Sequence, residues 1–327
     1  MIRIGITGGA GYVAGELLRL LLSHPEAEIR FVWSRSHGGE LLAQVHHDLA
    51  GDTDLRFVGD YPEGEEIDLL FLCSGHGTSK SFLDENAVAA TTRVIDMSAD
   101  FRLSEGNSYK GRHFLYGLPE LHRNQIAGAD SIANPGCFAT AIQLALLPLA
   151  SAGCLNHPVH VNGITGATGA GATLSPTTHF AWRDGNISIY KPFTHQHLDE
   201  IRESLGELQP NFPSPIHFIP VRGNFSRGIF ASVYTECGLD VEAVKEIYRE
   251  YYADHPFTIL TDSSPSLKSV VNTNKCLLHL TKHEDQVLIV STIDNLLKGA
   301  SGQAVQNMNL MFGLNEKTGL QLKGTGF

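Results

Sequence analysis

The first hundred residues alternate short apolar runs with helical stretches, and a glycine turn marks the first junction. Ile2–Thr7 opens as a strand, and Glu16–Ser23 then places Leu17, Leu18, Leu20, Leu21 and Leu22 on one broad helical face. Ile29–Trp33, Ile67–Cys73 and Val94–Met97 read as further strands, while the acidic stretch from Ala50 to Glu66 reads as an excursion at a sheet edge. Strands that alternate with helices predict a parallel sheet joined by right-handed crossovers.

The turn itself, Thr7-Gly8-Gly9-Ala10-Gly11-Tyr12-Val13-Ala14-Gly15-Glu16, has the spacing G-x-x-G-x-x-A. Glycines there allow a tight reversal and let backbone N–H groups approach a pyrophosphate at a helix N-terminus. Gly8, Gly11, Tyr12 and Val13 are therefore the candidate dinucleotide contacts. Sites for NAD usually end the second strand with an acid that holds the ribose 2′-hydroxyl. Here that position reads Trp33-Ser34-Arg35-Ser36. A guanidinium flanked by two hydroxyls suits a 2′-phosphate instead, so NADP is the expected cofactor. Ser74 and Gly75 follow the third strong strand, where a ligand of such a sheet lies, and are expected to line the same site.

Beyond Pro135-Gly136 the pattern changes. A long apolar helix over Ala139–Ser151 is followed by runs that suit a mixed sheet: Val159–Ile164, Ile216–Pro220, Ile229–Glu236, Lys275–Thr281 and Val287–Asp294. Leu239–Tyr252 is amphipathic, and a last helix spans about Gly302–Phe312. There is no internal repeat and no flexible linker. The expected class is α/β: a Rossmann-like parallel-sheet domain over residues 1–136 plus 302–327, and an α+β domain with a mixed sheet over 137–301.

Composition narrows the function. A net charge of −11, with no strongly basic stretch, argues against a nucleic-acid binder. No apolar stretch reaches membrane-spanning length, and no secretory leader is visible ahead of the first strand, so a soluble cytoplasmic protein is expected. Five cysteines, odd in number and never spaced C-x-x-C, suit reduced thiols and not a disulfide frame or a zinc site.

One cysteine stands apart. In Ala133-Asn134-Pro135-Gly136-Cys137-Phe138-Ala139-Thr140 the Pro-Gly pair forces a turn, and Cys137 falls at the start of the following helix. A helix N-terminus stabilises a thiolate and makes it a usable nucleophile near neutral pH, and the N–H groups of the turn can hold an oxyanion. Gly163-Ile164-Thr165-Gly166-Ala167-Thr168-Gly169-Ala170-Gly171 lacks the G-K-[ST] ending of a P-loop and reads as a close-packed substrate loop.

These motifs, together with Asp96–Arg102, Tyr116–Glu120, Thr194–His197, Gly223–Ile229 and Asp294–Ala304, resemble the N-acetyl-γ-glutamyl-phosphate reductase family nearly end to end. More distantly they are similar to aspartate-semialdehyde dehydrogenase and glyceraldehyde-3-phosphate dehydrogenase. The resemblance implies an NADPH-dependent conversion of an acyl phosphate to an aldehyde through a thioester on Cys137, within arginine biosynthesis. A reductase of aminoadipyl phosphate in lysine biosynthesis, or an aspartate-semialdehyde dehydrogenase, is the alternative. The resemblance also implies that His197, the second histidine of His195-Gln196-His197-Leu198-Asp199-Glu200-Ile201, is the general acid and base, although Asp199 stands where the family has proline. It places Arg102, Asn134 and Arg227 at the substrate and Asn295 at the nicotinamide, with no metal. A homo-oligomer, dimer or tetramer, is the expected assembly.

Overall fold

The computed structural model describes residues 1–210 and 212–326, which divide into two compact units. The first comprises Met1–Pro135 and Ala300–Gln321; the second comprises residues 136–299 and the C-terminal segment from Leu322. Residues 322–326 were expected with the first unit. They belong to the second, where Gly326 N donates to Lys268 O and Asn272 Nδ2 donates to Lys323 O.

In the first unit the strands are β1 (Ile2–Thr7), β2 (Ala27–Trp33), β3 (Phe57–Val58), β4 (Leu69–Leu72), β5 (Arg93–Asp96), β6 (Ser108–Tyr109), β7 (Arg112–His113), β8 (Leu115–Tyr116) and β9 (Ser131–Ala133). Seven of them form one parallel sheet in the order β3-β2-β1-β4-β5-β9-β8, and β6 and β7 make a small hairpin. Leu69-Leu70-Phe71-Leu72 is buried throughout, as a central strand covered on both faces must be. The acidic excursion contributes the edge strand β3, and the short β8 and β9, absent from the sequence reading, extend the opposite edge. Chain order reverses between β1 and β4. That is the switch point at which such sheets hold a dinucleotide, outside the carboxyl ends of the strands.

The second unit has β10 (Val159–Thr165), β11 (Ser188–Ile189), β12 (Ile216–Arg222), β13 (Ile229–Glu236), β14 (Thr258–Leu260), β15 (Cys276–His283) and β16 (Gln286–Ile293). They form a mixed sheet in the order β11-β12-β10-β13-β16-β15-β14, with β10 parallel to β12 and antiparallel to β13. Burial alternates along β13, so one face packs inward and the other stays half-exposed. His160 of β10 stacks between His217 of β12 and Tyr234 of β13.

The helix expected from Ala139 starts two residues earlier, at Cys137, because extended Gly136 (φ −71°, ψ 151°) already serves as its N-cap. From Phe138 to Ala150 every residue is buried, so this is a core helix apolar on all sides. Pro148 inside it has no N–H to offer the Leu144 carbonyl. Tyr252 Oη of the Val241–Tyr252 helix donates to that carbonyl at 2.6 Å, and Tyr248 Oη donates to Ala145 O. Two phenols thus compensate the proline where the backbone ladder is interrupted. Among the described residues no helix is long and apolar enough to cross a membrane, and no group of three or more His, Cys, Asp or Glu is placed to hold a metal.

Candidate active site

In the first unit the glycine turn lies at the switch point. Gly8 has φ +65°, and a Cβ there would meet the Cys73 carbonyl carbon and Ser74 N at 2.5 Å, so only glycine lets the turn rest on the end of β4. Gly11 caps the Tyr12–Leu21 helix in extended conformation, and a Cβ there would touch nothing closer than Gly8 O at 3.7 Å. The turn is therefore open above the helix N-terminus, where first-turn N–H groups lack intrahelical acceptors. Val13 is fixed from behind, its carbonyl accepting from Ser301 Oγ at 2.7 Å. Tyr12 is exposed.

The remaining predicted cofactor contacts of this unit surround that turn. Ser74 Oγ donates to Thr7 Oγ1 at 3.3 Å, and Gly75 has φ +97° with open space where a Cβ would stand. At the end of β2, Ser34 Oγ is 3.4 Å from Ser36 Oγ, and the Arg35 guanidinium lies 5.2 Å from the Trp33 ring centroid. Arg35 also pairs with Glu85 at 2.5 Å, both side chains being largely exposed. An exposed pair of this kind contributes at most about 1 kcal/mol, so the guanidinium is readily diverted to a phosphate. The end of β2 holds no acid, and the glycine cradle, the open helix end and Arg35 together fit NADP.

Arg102 and Asn134 also belong to this unit, and both are buried. Arg102 Nε donates to Asn134 O at 2.9 Å and Nη2 donates to Met97 O at 3.1 Å. Asn134 is committed at both ends of its amide: Nδ2 donates to Ala300 O, and Oδ1 accepts from Asn307 Nδ2. These bonds tie it to the chain beside the turn before Cys137. Beneath these residues Asp96 accepts from Ser79 Oγ at 2.6 Å and Ser98 Oγ at 2.7 Å, and burial pushes its carboxyl up to about 6.

In the second unit Cys137 is the first residue of its helix. The His197 ring lies so close to Gly136 that a Cβ there would meet Cε1 at 2.6 Å and Cδ2 at 2.7 Å. The structure thus brings the predicted nucleophile and the predicted base to adjoining positions. Gly299 closes the other side, where a Cβ would meet Cys137 Cβ at 2.8 Å. Glu200, which the sequence reading did not single out, is buried one helical turn beyond His197. Its Oε2 accepts from Gly136 N at 2.9 Å and its Oε1 stands 3.9 Å from His197 Nε2, so one carboxylate ties down the turn and lies within ion-pair range of a protonated imidazole. Gln143 Nε2 donates to Glu200 O and Ser204 Oγ, fastening the cysteine helix to the histidine helix. Glu200 stands in the same family stretch as His197, and its i+3 spacing from that histidine puts both on one helix face.

His195 stands beside His197, their ring centroids 4.5 Å apart, with His195 Nδ1 accepting from His197 N at 3.2 Å. Burial, with Lys191 and Arg222 nearby, pushes its imidazole down from 6.5 to about 4. A base with so low a pKa is poorly matched to neutral proton transfer, which favours His197 for that role. The unfolded chain takes up the His195 proton near pH 6.5 and the folded chain only near 4, so stability falls as pH drops through that window. The ceiling is about 3 kcal/mol at 1.36 kcal/mol per unit. His195→Asn, which keeps an acceptor for His197 N, is expected to flatten the Tm loss between pH 7 and pH 4.5. An unchanged slope relative to wild type would exclude His195 as its source.

The other two predicted residues of this unit are partly committed. Arg227 Nη2 pairs with buried Asp294 Oδ2 at 3.0 Å, which offsets its charge. Asn295 Oδ1 accepts from Gly228 N at 2.7 Å, and its Nδ2 donates to Thr168 Oγ1 at 3.1 Å. Asn295 thereby ties the Gly166–Ala170 loop to the Phe225–Gly228 turn. The two pack so closely that a Cβ at Gly166 would meet the Ser226 carbonyl carbon at 2.5 Å. His217 of β12 stacks on His160.

The chain matches the semialdehyde dehydrogenase NAD binding domain over residues 3–129 and the semialdehyde dehydrogenase dimerisation domain over 137–295. It is 58% identical to the N-acetyl-gamma-glutamyl-phosphate reductase of Parabacteroides distasonis, 57% to that of Christiangramia forsetii and 53% to that of Flavobacterium johnsoniae, covering the whole of each. Aspartate semialdehyde dehydrogenase II of Vibrio cholerae, solved with ASA, superposes with a TM-score of 0.72 over 96% of this chain and 98% of its own at 18% identity. Aspartate semialdehyde dehydrogenase of Candida albicans, solved with NADP, gives 0.70 over 95% and 99% at 14% identity. Those structures share the two-domain fold, whereas the relatives above half identity share the sequence throughout; the chain belongs to the N-acetyl-gamma-glutamyl-phosphate reductase family.

Proposed function

We propose that this chain catalyses the NADPH-dependent reduction of N-acetyl-γ-glutamyl phosphate to N-acetyl-L-glutamate 5-semialdehyde with release of phosphate, a step of arginine biosynthesis. The observation that carries this reading is Cys137 as the first residue of a buried helix, with the His197 imidazole against the glycine before it. His197 takes the thiol proton, and the helix N-terminus favours the resulting thiolate. Sγ attacks the acyl carbon, the bond to the phosphate oxygen breaks, and a thioester remains on Cys137. First-turn N–H groups meet the oxyanion. Hydride donation is the chemistry that NADPH supplies when bound. On collapse of the thiohemiacetal the C–S bond breaks, the aldehyde departs, and His197 returns the proton to sulfur. Glu200, 3.9 Å from Nε2, pairs with the imidazolium while His197 carries the proton.

Gly8, Gly11, Tyr12, Val13, Ser74 and Gly75 are the residues for the pyrophosphate and its surroundings, and Ser34, Arg35 and Ser36 those for the 2′-phosphate. Asn295 is retained as a nicotinamide contact through its remaining amide hydrogen. Arg102 and Arg227 are the candidate anion ligands; Arg227, already paired with Asp294, is the weaker of the two. The enzyme is read as a cytoplasmic homo-oligomer, dimer or tetramer, in keeping with the dimerisation domain it matches. Run in reverse, it is expected to reduce NADP with N-acetylglutamate semialdehyde only when phosphate or arsenate is present. Phosphate-independent oxidation, or turnover of aspartate semialdehyde in preference, would sink this assignment.

A further inference from the structure

We infer that Arg222, supported by Arg183, forms an anion-binding subsite beside Cys137 that receives an oxyanion group of the substrate, carboxylate or phosphate. This rests on the acyl-phosphate reading above and adds residues that none of its motifs assigns.

The two arginines come from different parts of the chain. Arg183 lies in the Phe180–Arg183 turn of helix and Arg222 ends β12. Pairing of Ser188 with Arg222 brings them together, and Arg183 Nη1 donates to Arg222 O at 3.1 Å. Arg183 is only 7% exposed, its Nε has no acceptor, and its other donors meet Thr177 O and Ser188 Oγ. Among the described residues neither arginine has a carboxylate within ion-pair distance, and Arg183 feels the positive charge of Arg222. A guanidinium buried without a counter-charge is costly unless an anion arrives. No side chain among the described residues supplies that anion, so it is assigned to the ligand.

Adjacency to the thiol follows from Tyr190. Arg222 stacks over the Tyr190 ring at 4.6 Å, and Tyr190 packs edge-on against His195 at 5.7 Å. Burial and the neighbouring Cys137 keep the Tyr190 phenol protonated, pushed up to about 12, so it adds a hydrogen-bond donor and no opposing charge. Exposed Lys191 follows directly in sequence and acts on His195 electrostatically, completing a positive rim. A half-exposed guanidinium held over an aromatic ring is restrained for contact with an oxyanion.

The test uses the thiol as reporter. Cys137 in wild type is alkylated with iodoacetate, which is anionic, and with iodoacetamide, which is neutral, and modification is read on the Cys137 peptide by mass spectrometry. The ratio of the two rates is expected to fall at least fivefold in Arg222→Met and to be largely kept in Arg222→Lys. Millimolar inorganic phosphate or acetate should slow the iodoacetate reaction in wild type and Arg222→Lys but not in Arg222→Met. A ratio in Arg222→Met within fivefold of wild type overturns the subsite, and Arg222→Lys serves as the folded control. In turnover of the semialdehyde with phosphate, a raised KM for the semialdehyde assigns the carboxylate, and a raised KM for phosphate assigns the phosphoryl group. A change in kcat alone overturns the proposal. Should wild type show the alkylation preference and no acyl-phosphate chemistry, the assigned reaction falls while the anion subsite stands.

Discussion

Cys137→Ser is expected to lower kcat for phosphate-dependent oxidation of N-acetylglutamate semialdehyde by about 10³-fold or more, with the fold intact. Serine is nearly isosteric and sits well at the first position of a helix, so the Gly136 turn and the buried helix behind it should survive. What changes is the nucleophile. A hydroxyl is hardly ionised near neutral pH even at a helix N-terminus, and an oxygen ester in place of the thioester is a poorer hydride acceptor. A 10³-fold loss corresponds to about 4 kcal/mol of transition-state stabilisation at 1.36 kcal/mol per tenfold. Stopped-flow kinetics and intact-mass trapping of the acyl-enzyme provide the check. Near-normal turnover, or an acyl adduct on any of Cys73, Cys154, Cys237 or Cys276, would falsify the role given to Cys137.

Gly136→Ala should be the next most damaging change, lowering kcat about 10²-fold while KM moves little. The effect is one of space alone. Gly136 has φ −71°, which alanine adopts without strain, so the backbone does not require glycine. The His197 ring does, because a new methyl would stand 2.6 Å from Cε1 and 2.7 Å from Cδ2. The imidazole must retreat by about an ångström, away from the thiol and from the Glu200 carboxylate that holds it. Overpacking of this kind also costs about 1–3 kcal/mol, so Tm should fall measurably. Wild-type kcat in a folded Gly136→Ala enzyme would mean that the ring position seen here is not the working one. Gly299→Ala presses on Cys137 from the opposite side and offers a comparison in which the thiol moves and the histidine does not.

The parallel sheet and its glycine turn could be read from residues alone because both are local. Period and apolar runs give strands, and a reversal with φ +65° at Gly8 selects glycine whatever the rest of the chain does. Short edge strands such as β8 and β9 were not legible, since two or three residues carry no periodicity. The start of the Cys137 helix was misplaced by two residues because Cys137 and Phe138 have no helical signature of their own; the extended Gly136 in front of them marks the boundary. Asn134, Arg227 and Asn295 stand in family motifs, yet their side chains are largely engaged by Ala300, Asn307, Asp294, Gly228 and Thr168. A motif records that a residue is required there and does not distinguish holding a ligand from holding a loop.

What the sequence by itself determined is the kind of chemistry: a dinucleotide turn, a second strand without an acid, and one thiol placed to become a helix N-terminus. Each depends on residues within about one turn of one another, where backbone geometry follows from local sterics and dipoles. Only the tertiary structure decided who stands around that thiol. His197 rests on Gly136, Glu200 accepts from Gly136 and faces His197, and Tyr190 lies between Arg222 and His195, because packed helices and the register of β11 and β12 draw together segments far apart in the chain. Burial then sets their character: His195 is held neutral, Tyr190 stays a phenol, and Arg183 has no acid within ion-pair distance among the described residues. Desolvation is a property of the assembled core, and no spacing along the sequence records it.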